Sequence, residues 1–240
     1  MPPIREIPRG VPGATAPRPL ALGPSLWAIA ADVPLSRYSA PELDERLRDI
    51  NWVADVALQH ESVVGYFASL RGATVVPMKL FTMYSTEARA LADLTSRRHD
   101  IAGVVNRVRG CQEWGVRIAG IKARPQKAST ERVTSGTAFL TAKKRVRDEA
   151  QARTSEALTA ADDAFATLSR LSRAAVRHEA PDGAMVPPLL DAAFLVTSAA
   201  RARFRAAARR AAAECRGAHA DFVLTGPWPP YNFVAAGGGA

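Results

Sequence analysis

The chain has 240 residues, of which 48% are hydrophobic, and its 32 Lys and Arg against 23 Asp and Glu give a net charge of +9. This composition excludes a chain that is disordered throughout, because it supplies enough apolar surface for a core. The basic excess raises the question of acidic partners, but residues 1–124 carry 16 basic and 12 acidic groups and residues 125–240 carry 16 and 11, so neither half is a basic tail.

The first 24 residues contain seven prolines and three glycines. Proline fixes φ and removes a backbone donor, so we expect residues 1–24 to form an extended, mobile arm and the fold to begin near Ser25. The apolar run 25–35 lies between prolines and predicts a buried strand, and we prefer this interpretation to a cleaved leader. No apolar run is long enough to predict a membrane-spanning helix.

A first helix is predicted to begin at Ser39, with Glu42 completing a capping box. Apolar residues follow at helical spacing and predict one amphipathic helix that runs as far as Leu70: Leu43, Leu47, Ile50, Val53, Ala54, Ala57 and Leu58. The β-branched residues of 73–81 then predict a strand, which Pro77 restricts to an edge or a bulge.

A second helix is predicted from Ser85 to Gly110, where the glycine ends it. Residues 111–121 alternate apolar and other side chains, which predicts a half-buried strand containing Trp114, Val116 and Ile118. The order strand, helix, strand, helix, strand favours a ferredoxin-like α+β domain over residues 25–124.

Residues 122–133 are polar, and we interpret 125–133 as a linker. A second α+β domain is predicted over 134–240, with a helix or helical hairpin up to about His178, strands at 189–196 and 220–226, and a helix at 198–217. A coiled-coil-like seam follows the first of these helices, and the pattern leaves open whether it pairs within or between chains: Ala157, Ala161, Ala164, Leu168, Leu171 and Ala175.

Sequence motifs for catalysis, such as a phosphate-binding loop, a nucleophile elbow or a zinc-binding HExxH, do not occur in the chain. The four histidines lie on separate segments without helical spacing, so we assign no catalytic, metal or cofactor-binding residue and expect no enzyme. Cys111 and Cys215 lack the spacing of a disulfide scaffold or a zinc site, which favours a reducing cytoplasm.

Six arginines are concentrated in the helix predicted at 198–217. They form either a solvated helix face or a docking surface for an acidic protein patch. Nucleic-acid binding is a further hypothesis, although no stacking aromatics or RNA-binding string accompany these arginines.

The string GPWPPYNFV at 226–234 combines three prolines with three aromatic rings. It cannot form a helix or a central strand. Its restricted backbone suits either a clasp that seals the sheet of the second domain or a recognition surface.

Three strings in this chain resemble the gas vesicle accessory proteins of the GvpF/GvpL type. They are VVPMKLFTMYST at 75–86, EWGV at 113–116 and the closing GPWPPYNFV. The stretch 47–61, with His60 and Glu61, and the string AAFLV at 192–196 occur in the family's order, so that the resemblance covers residues 25–235. Members usually begin with a further short aromatic strand, which the proline-rich arm replaces here, so the first sheet is expected to lack a strand or to expose an edge.

The resemblance implies a non-enzymatic protein with a ferredoxin-like N-terminal domain and a C-terminal α+β domain with long coiled-coil-like helices. It implies a protein that binds the small hydrophobic shell protein and other accessory proteins while gas vesicles form, without a small-molecule substrate, and that is cytoplasmic or vesicle-associated. The alternative is a basic nucleic-acid-binding module. The candidate protein-binding residues are Pro77, Lys79, Glu113, Trp114, Arg201, Arg205, Trp228 and Tyr231.

Overall fold

The computed structural model describes residues 7–121, 136–180 and 186–234 of an α+β protein. The chain divides into two compact units. The first comprises Met1–Gly110 together with Trp228–Ala240, and the second comprises Cys111–Pro227. This division differs from the predicted one, because the strand that begins at Cys111 belongs to the second unit; the predicted linker 125–133 lies outside the described residues.

The first unit begins with a hairpin and continues as helices. The strands β1 (Arg18–Gly23) and β2 (Leu26–Ala30) are antiparallel and are followed by α1 (Leu35–Tyr38), α2 (Ala40–Arg46), α3 (Ile50–Ser69), α4 (Glu87–Ser96) and α5 (Arg98–Val108).

Strand β1 corrects the expectation of a mobile arm over residues 1–24. Leu20 and Leu22 point to the same side of β1 and are buried, and burial of these two leucines offsets the entropy lost on ordering the strand. Arg18 bonds to Asp32 at 2.9 Å and to Glu87 at 2.8 Å, which ties β1 to the segment after β2 and to the start of α4. Strand β2 confirms the strand predicted in residues 25–35. The predicted burial of that strand is wrong, because Trp27 is 57% exposed.

The helix predicted over residues 39–70 is two helices in the structure. Asp49 ends the continuity, because its side chain accepts a hydrogen bond from Asn51 N at 3.0 Å and so caps α3. Ser39 makes no side-chain capping bond, so the predicted capping box is wrong. The second predicted helix is also divided, into α4 and α5, and Gly110 ends α5 with φ +67° as expected.

Residues 73–81 do not form the predicted edge strand; residues 73–79 are irregular and a turn follows at 80–81. Two local features explain the difference. Pro77 lacks an N–H for a sheet ladder, and Phe81 has φ +62°, which no strand residue adopts. The Phe81 ring instead stacks on Trp52 of α3, with the ring centroids 5.8 Å apart.

The second unit contains a four-stranded sheet and two helices. Its elements are β3 (Cys111–Gly120), α6 (Gly136–Ser169), β4 (Ala174–Arg177), β5 (Leu190–Thr197), α7 (Arg201–Gly217) and β6 (Ala220–Trp228). The strand order is β4-β5-β3-β6, and both β3 and β4 pair antiparallel with β5. Ile121 N donates to His219 O at 2.9 Å while Gly115 lies against Thr225, so β6 also runs antiparallel to β3.

The connectivity β-α-β-β-α-β with this strand order is the ferredoxin-like arrangement. It therefore occurs in the second unit and not over residues 25–124, where the sequence analysis placed it. Strand β3 accounts for the error, because its hydrogen-bonded neighbour β5 lies about 80 residues later in the chain.

The core of the second unit lies between the sheet and the two helices. Four aromatic rings form its centre, with centroid distances of 6.1 Å from Trp114 to Phe204, 5.6 Å from Phe204 to Phe194 and 5.7 Å from Phe194 to Phe165. The seam of α6 packs in this core, where Ala157, Ala161, Ala164 and Leu168 are buried. This part of the seam thus pairs within the chain, and Ala lets α7 approach α6 closely.

Candidate interaction surfaces

Three of the predicted contact residues are buried. Pro77 is buried in the segment that follows α3, and Glu113 and Trp114 are each 5% exposed on β3. Strand β3 lies between β5 and β6, so both of its edges are already paired. None of these three side chains can form a contact surface in this conformation, which corrects the prediction for Pro77, Glu113 and Trp114.

The EWGV string instead has a structural role in the second unit. Trp114 points to the helices and packs on Phe204. Gly115, the next residue, points to the other face of the sheet, where Thr225 of β6 crosses it. A Cβ atom at Gly115 would lie 2.6 Å from Thr225 Oγ1, so only glycine fits here without displacement of a neighbour.

The closing segment belongs to the first unit from Trp228 onwards. Phe233 is buried, the Tyr231 hydroxyl donates to the Glu61 carboxylate on α3, and Arg107 Nη2 of α5 donates to the Phe233 carbonyl at 3.2 Å. Residues 231–233 therefore fasten onto helices of the first unit, whereas the predicted clasp was to seal the sheet of the second. Trp228 and Tyr231 stay accessible, at 45% and 36% exposure.

The remaining predicted contacts are exposed. Lys79 lies in the irregular segment after Pro77 and is exposed. Arg201 and Arg205 lie on the outer side of α7, where Arg201 Nη1 donates to Gln112 Oε1 at 3.3 Å and the Arg205 guanidinium lies 5.9 Å from the centroid of the Trp114 ring.

A further accessible surface lies in the first unit, and the sequence analysis does not name it as a contact surface; its residues are predicted there only as the apolar side of an amphipathic helix. We call it the α3 stripe: Ile50, Ala54 and Leu58 of α3, together with Leu47, which precedes the helix. All four are exposed, with Ile50 at 79% and Leu58 at 68%. Residues four apart lie on one side of a helix, so Ile50, Ala54 and Leu58 form a continuous apolar strip, while Val56 on the opposite side fills the core. The helical spacing of these residues is visible in the sequence, but it does not show that this side of α3 faces water.

The chemistry available to the described residues is limited. They contain no group of three or more His, Cys, Asp or Glu side chains arranged to hold a metal ion. Burial lowers the pKa of His60 on α3, while His99, His178 and His219 are exposed on separate elements. Two open depressions lie along α6, one lined by Arg147, Gln151 and neighbouring residues, the other by Glu156, Asp163 and Glu214.

The thiols of Cys111 and Cys215 should react more slowly than the thiol of an activated cysteine. Burial raises the pKa of both Cys111 and Cys215, and Cys215 has no exposed surface. Because the thiolate is the nucleophile, we expect DTNB at pH 7 to label Cys215 only after a denaturant unfolds the second unit. The Cys111→Ser variant isolates Cys215 for this measurement, and rapid labelling of that variant without denaturant would contradict the burial seen here.

Among the described residues, no helix has both the length and the apolar character to cross a bilayer. The fold and surfaces define a two-unit α+β protein with an exposed apolar strip on one unit and an exposed arginine-bearing helix on the other.

Comparison with known proteins identifies the family. Residues 5–235 match the family model described as gas vesicle synthesis protein GvpL/GvpF, and the chain belongs to this family. It is 27% identical over 231 residues to gas vesicle protein L of Streptomyces sp. (strain CB03234), covering 92% of this chain and 84% of that protein.

Two crystal structures of GvpF proteins share the fold. For the protein from Anabaena sp. PCC7120 the TM-score is 0.63 at 12% identity, and the match covers 95% of this chain and 89% of that one. For the protein from Microcystis aeruginosa the TM-score is 0.57 at 10% identity, with coverage of 95% and 96%. The resemblance stated from the three strings is thereby confirmed, and so is the α+β fold class.

Proposed function

We propose that this GvpL/GvpF protein is a gas vesicle assembly factor that binds the small hydrophobic shell protein, and other accessory proteins, while the vesicle forms. Family membership supports a gas vesicle accessory role. A shell subunit that polymerises into a water-excluding wall exposes apolar surface beforehand, and a binding protein covers that surface until delivery. No bond is made or broken in this role, which needs no catalytic residue or cofactor.

The observation that carries this proposal is the α3 stripe. It offers a partner three apolar side chains on adjacent turns of α3, with Leu47 just before the helix, and such a row is the arrangement by which helices bind apolar grooves and apolar helices. Full burial of either of its two most exposed members, Ile50 and Leu58, would contribute about 1.5–3 kcal/mol to the free energy of binding. An exposed apolar stripe is unfavourable in a protein without a partner, because it promotes nonspecific association between protein molecules.

The test is co-expression of the tagged full chain with a small gas vesicle shell protein, followed by pull-down. The Ile50→Glu/Leu58→Glu variant places two carboxylates in the stripe, and leaving them desolvated in an interface costs well over the 1.4 kcal/mol that corresponds to tenfold in affinity. We therefore expect it to retain at least about tenfold less shell protein than the unaltered chain.

A matched control keeps the comparison specific. Leu140→Glu/Val146→Glu makes the same change at two residues of α6 that are 66% and 62% exposed. It should retain shell protein like the unaltered chain. Equal loss in both variants would show that added negative charge alone weakens retention, and no retention by the unaltered chain would refute the proposal.

The protein in this proposal acts in the cytoplasm and on the vesicle. The nucleic-acid alternative has less support, because the arginine-bearing side of α7 carries no exposed aromatic side chain on which a base could stack.

A further inference from the structure

Four arginines of α7 lie along one side of the helix. Arg201, Arg205 and Arg209 follow at intervals of four residues, about 6 Å apart along the axis, and Arg216 continues the same side near the C-terminal end. We call these four the arginine row. All are exposed, whereas a different side of α7 is buried in the core of the second unit: Phe204, Ala207, Ala208, Ala211 and Cys215.

The charges of the arginine row are not neutralised within the second unit. Over the described ranges no salt bridge involves any of its members; Arg201 bonds to the uncharged Gln112, and Arg205 lies over Trp114. The sole acidic residue of α7 is Glu214, which lies on the opposite flank and lines a groove with Glu156 and Asp163 of α6. These three carboxylates therefore lie away from the row.

An uncompensated row of this kind is unfavourable for the isolated chain. Like charges four residues apart destabilise a helix by about 0.2–0.5 kcal/mol per pair. The core does not need them, since α7 is anchored by its buried side, and glutamine or alanine would form the same helix. A partner that supplies negative charge would remove the repulsion and gain charge-assisted hydrogen bonds.

We propose that the arginine row is a docking surface for an acidic, helical segment of a protein partner. Carboxylates spaced four residues apart on the partner would match the guanidinium spacing, and each guanidinium can bind a carboxylate with two hydrogen bonds. Ala202, Ala206 and Ala213 lie beside the row, so a partner helix can approach the backbone of α7 closely. A base needs an aromatic platform, which this side of α7 does not offer, and this favours a polypeptide over a nucleic acid.

This surface goes beyond the shell-protein proposal and does not depend on it. The arginine row lies on the second unit and the α3 stripe on the first. Loss of either interaction can therefore be measured while the other is kept.

The experiment is fluorescence anisotropy of the full chain with a labelled helical peptide that carries glutamate at every fourth position. The probes for comparison are the same peptide with glutamine at those positions and an oligothymidylate of equal charge. The unaltered chain should bind the glutamate peptide, and binding should weaken as salt is raised. Arg201→Gln/Arg205→Gln/Arg209→Gln should weaken it about tenfold or more, whereas the triple lysine variant, which keeps the charge, should retain most of the affinity.

The matched control removes three exposed arginines elsewhere, as Arg48→Gln/Arg71→Gln/Arg153→Gln, and changes the net charge by the same amount. It should alter peptide affinity less than about twofold. If both triple glutamine variants weakened peptide binding equally, net charge alone would explain the effect and the proposal would be overturned. Absence of peptide binding at low salt, or tighter binding of the oligothymidylate through the same arginines, would also overturn it. Circular dichroism checks that each variant keeps its helix content.

Discussion

Replacing Phe204 by alanine should lower the free energy of unfolding of the second unit by about 3–5 kcal/mol. Phe204 has no exposed surface and joins α7 to the sheet, where its ring packs on Trp114 of β3 and Phe194 of β5. Alanine loses the transfer free energy of the ring and leaves a cavity that two aromatic neighbours on a paired sheet cannot collapse to fill. Urea denaturation followed by far-ultraviolet circular dichroism measures the change.

Two further variants define this effect. Phe204→Leu keeps most of the volume and should cost clearly less than the alanine variant, while Leu140→Ala on the exposed side of α6 should change stability by less than about 0.5 kcal/mol. A loss at Phe204 no larger than that at Leu140 would contradict the position of α7 on the sheet.

Replacing Gly115 by alanine should destabilise the second unit by about 1–3 kcal/mol through overcrowding. The new Cβ would lie 2.6 Å from Thr225 Oγ1, and a β-branched side chain has few alternative rotamers with which to move away. The strands themselves resist separation, because β3 is held between β5 and β6.

The rescue makes this prediction specific. Thr225→Ala removes the colliding oxygen, so the double variant Gly115→Ala/Thr225→Ala should recover most of the stability that Gly115→Ala loses. Thr225→Ala is the single-variant reference, and thermal unfolding of all four proteins forms a double-mutant cycle. Additive losses, without recovery, would show that β6 does not cross β3 at Gly115.

Local patterns predicted most of the individual elements of the second unit. The alternation in 111–121 predicted β3, and the apolar run at 189–196 and the arginine-rich stretch at 198–217 predicted β5 and α7. Strand β4 was missed: it has four residues, follows α6 after a short turn, and forms by pairing with β5. A strand this short has no pattern of its own, so only its pairing partner makes it visible.

The first unit was predicted less well, since its errors concern long-range contacts. Residues 73–81 carry strand-forming side chains, but Pro77 has no N–H, and no strand of the described residues pairs with this stretch, which is irregular. Strand β1 forms in a proline-rich segment because it pairs with β2 and packs against α4, and its Leu20 and Leu22 are buried. Residue propensities alone predict the opposite in both cases, a strand at 73–81 and an extended arm over the segment that contains β1.

The candidate contact residues show the same difference between local pattern and tertiary burial. Unusual residues predict contact residues from the sequence, but Pro77, Glu113 and Trp114 are buried. The residues of the α3 stripe predicted only the apolar side of an amphipathic helix, and that side is exposed. A periodic pattern gives the apolar side of a helix but does not say whether that side is covered by the same chain or left for a partner.

The sequence by itself determined the family, the α+β class, and the helices and strands whose periodicity or glycine boundaries are local. Only the tertiary structure decided that β3 pairs with β5 and β6, that the closing segment fastens onto the first unit, and which helix faces remain open. The physical reason is distance along the chain. Dihedral preferences and side-chain spacing act between neighbours, whereas strand pairing and burial depend on residues that meet only after folding.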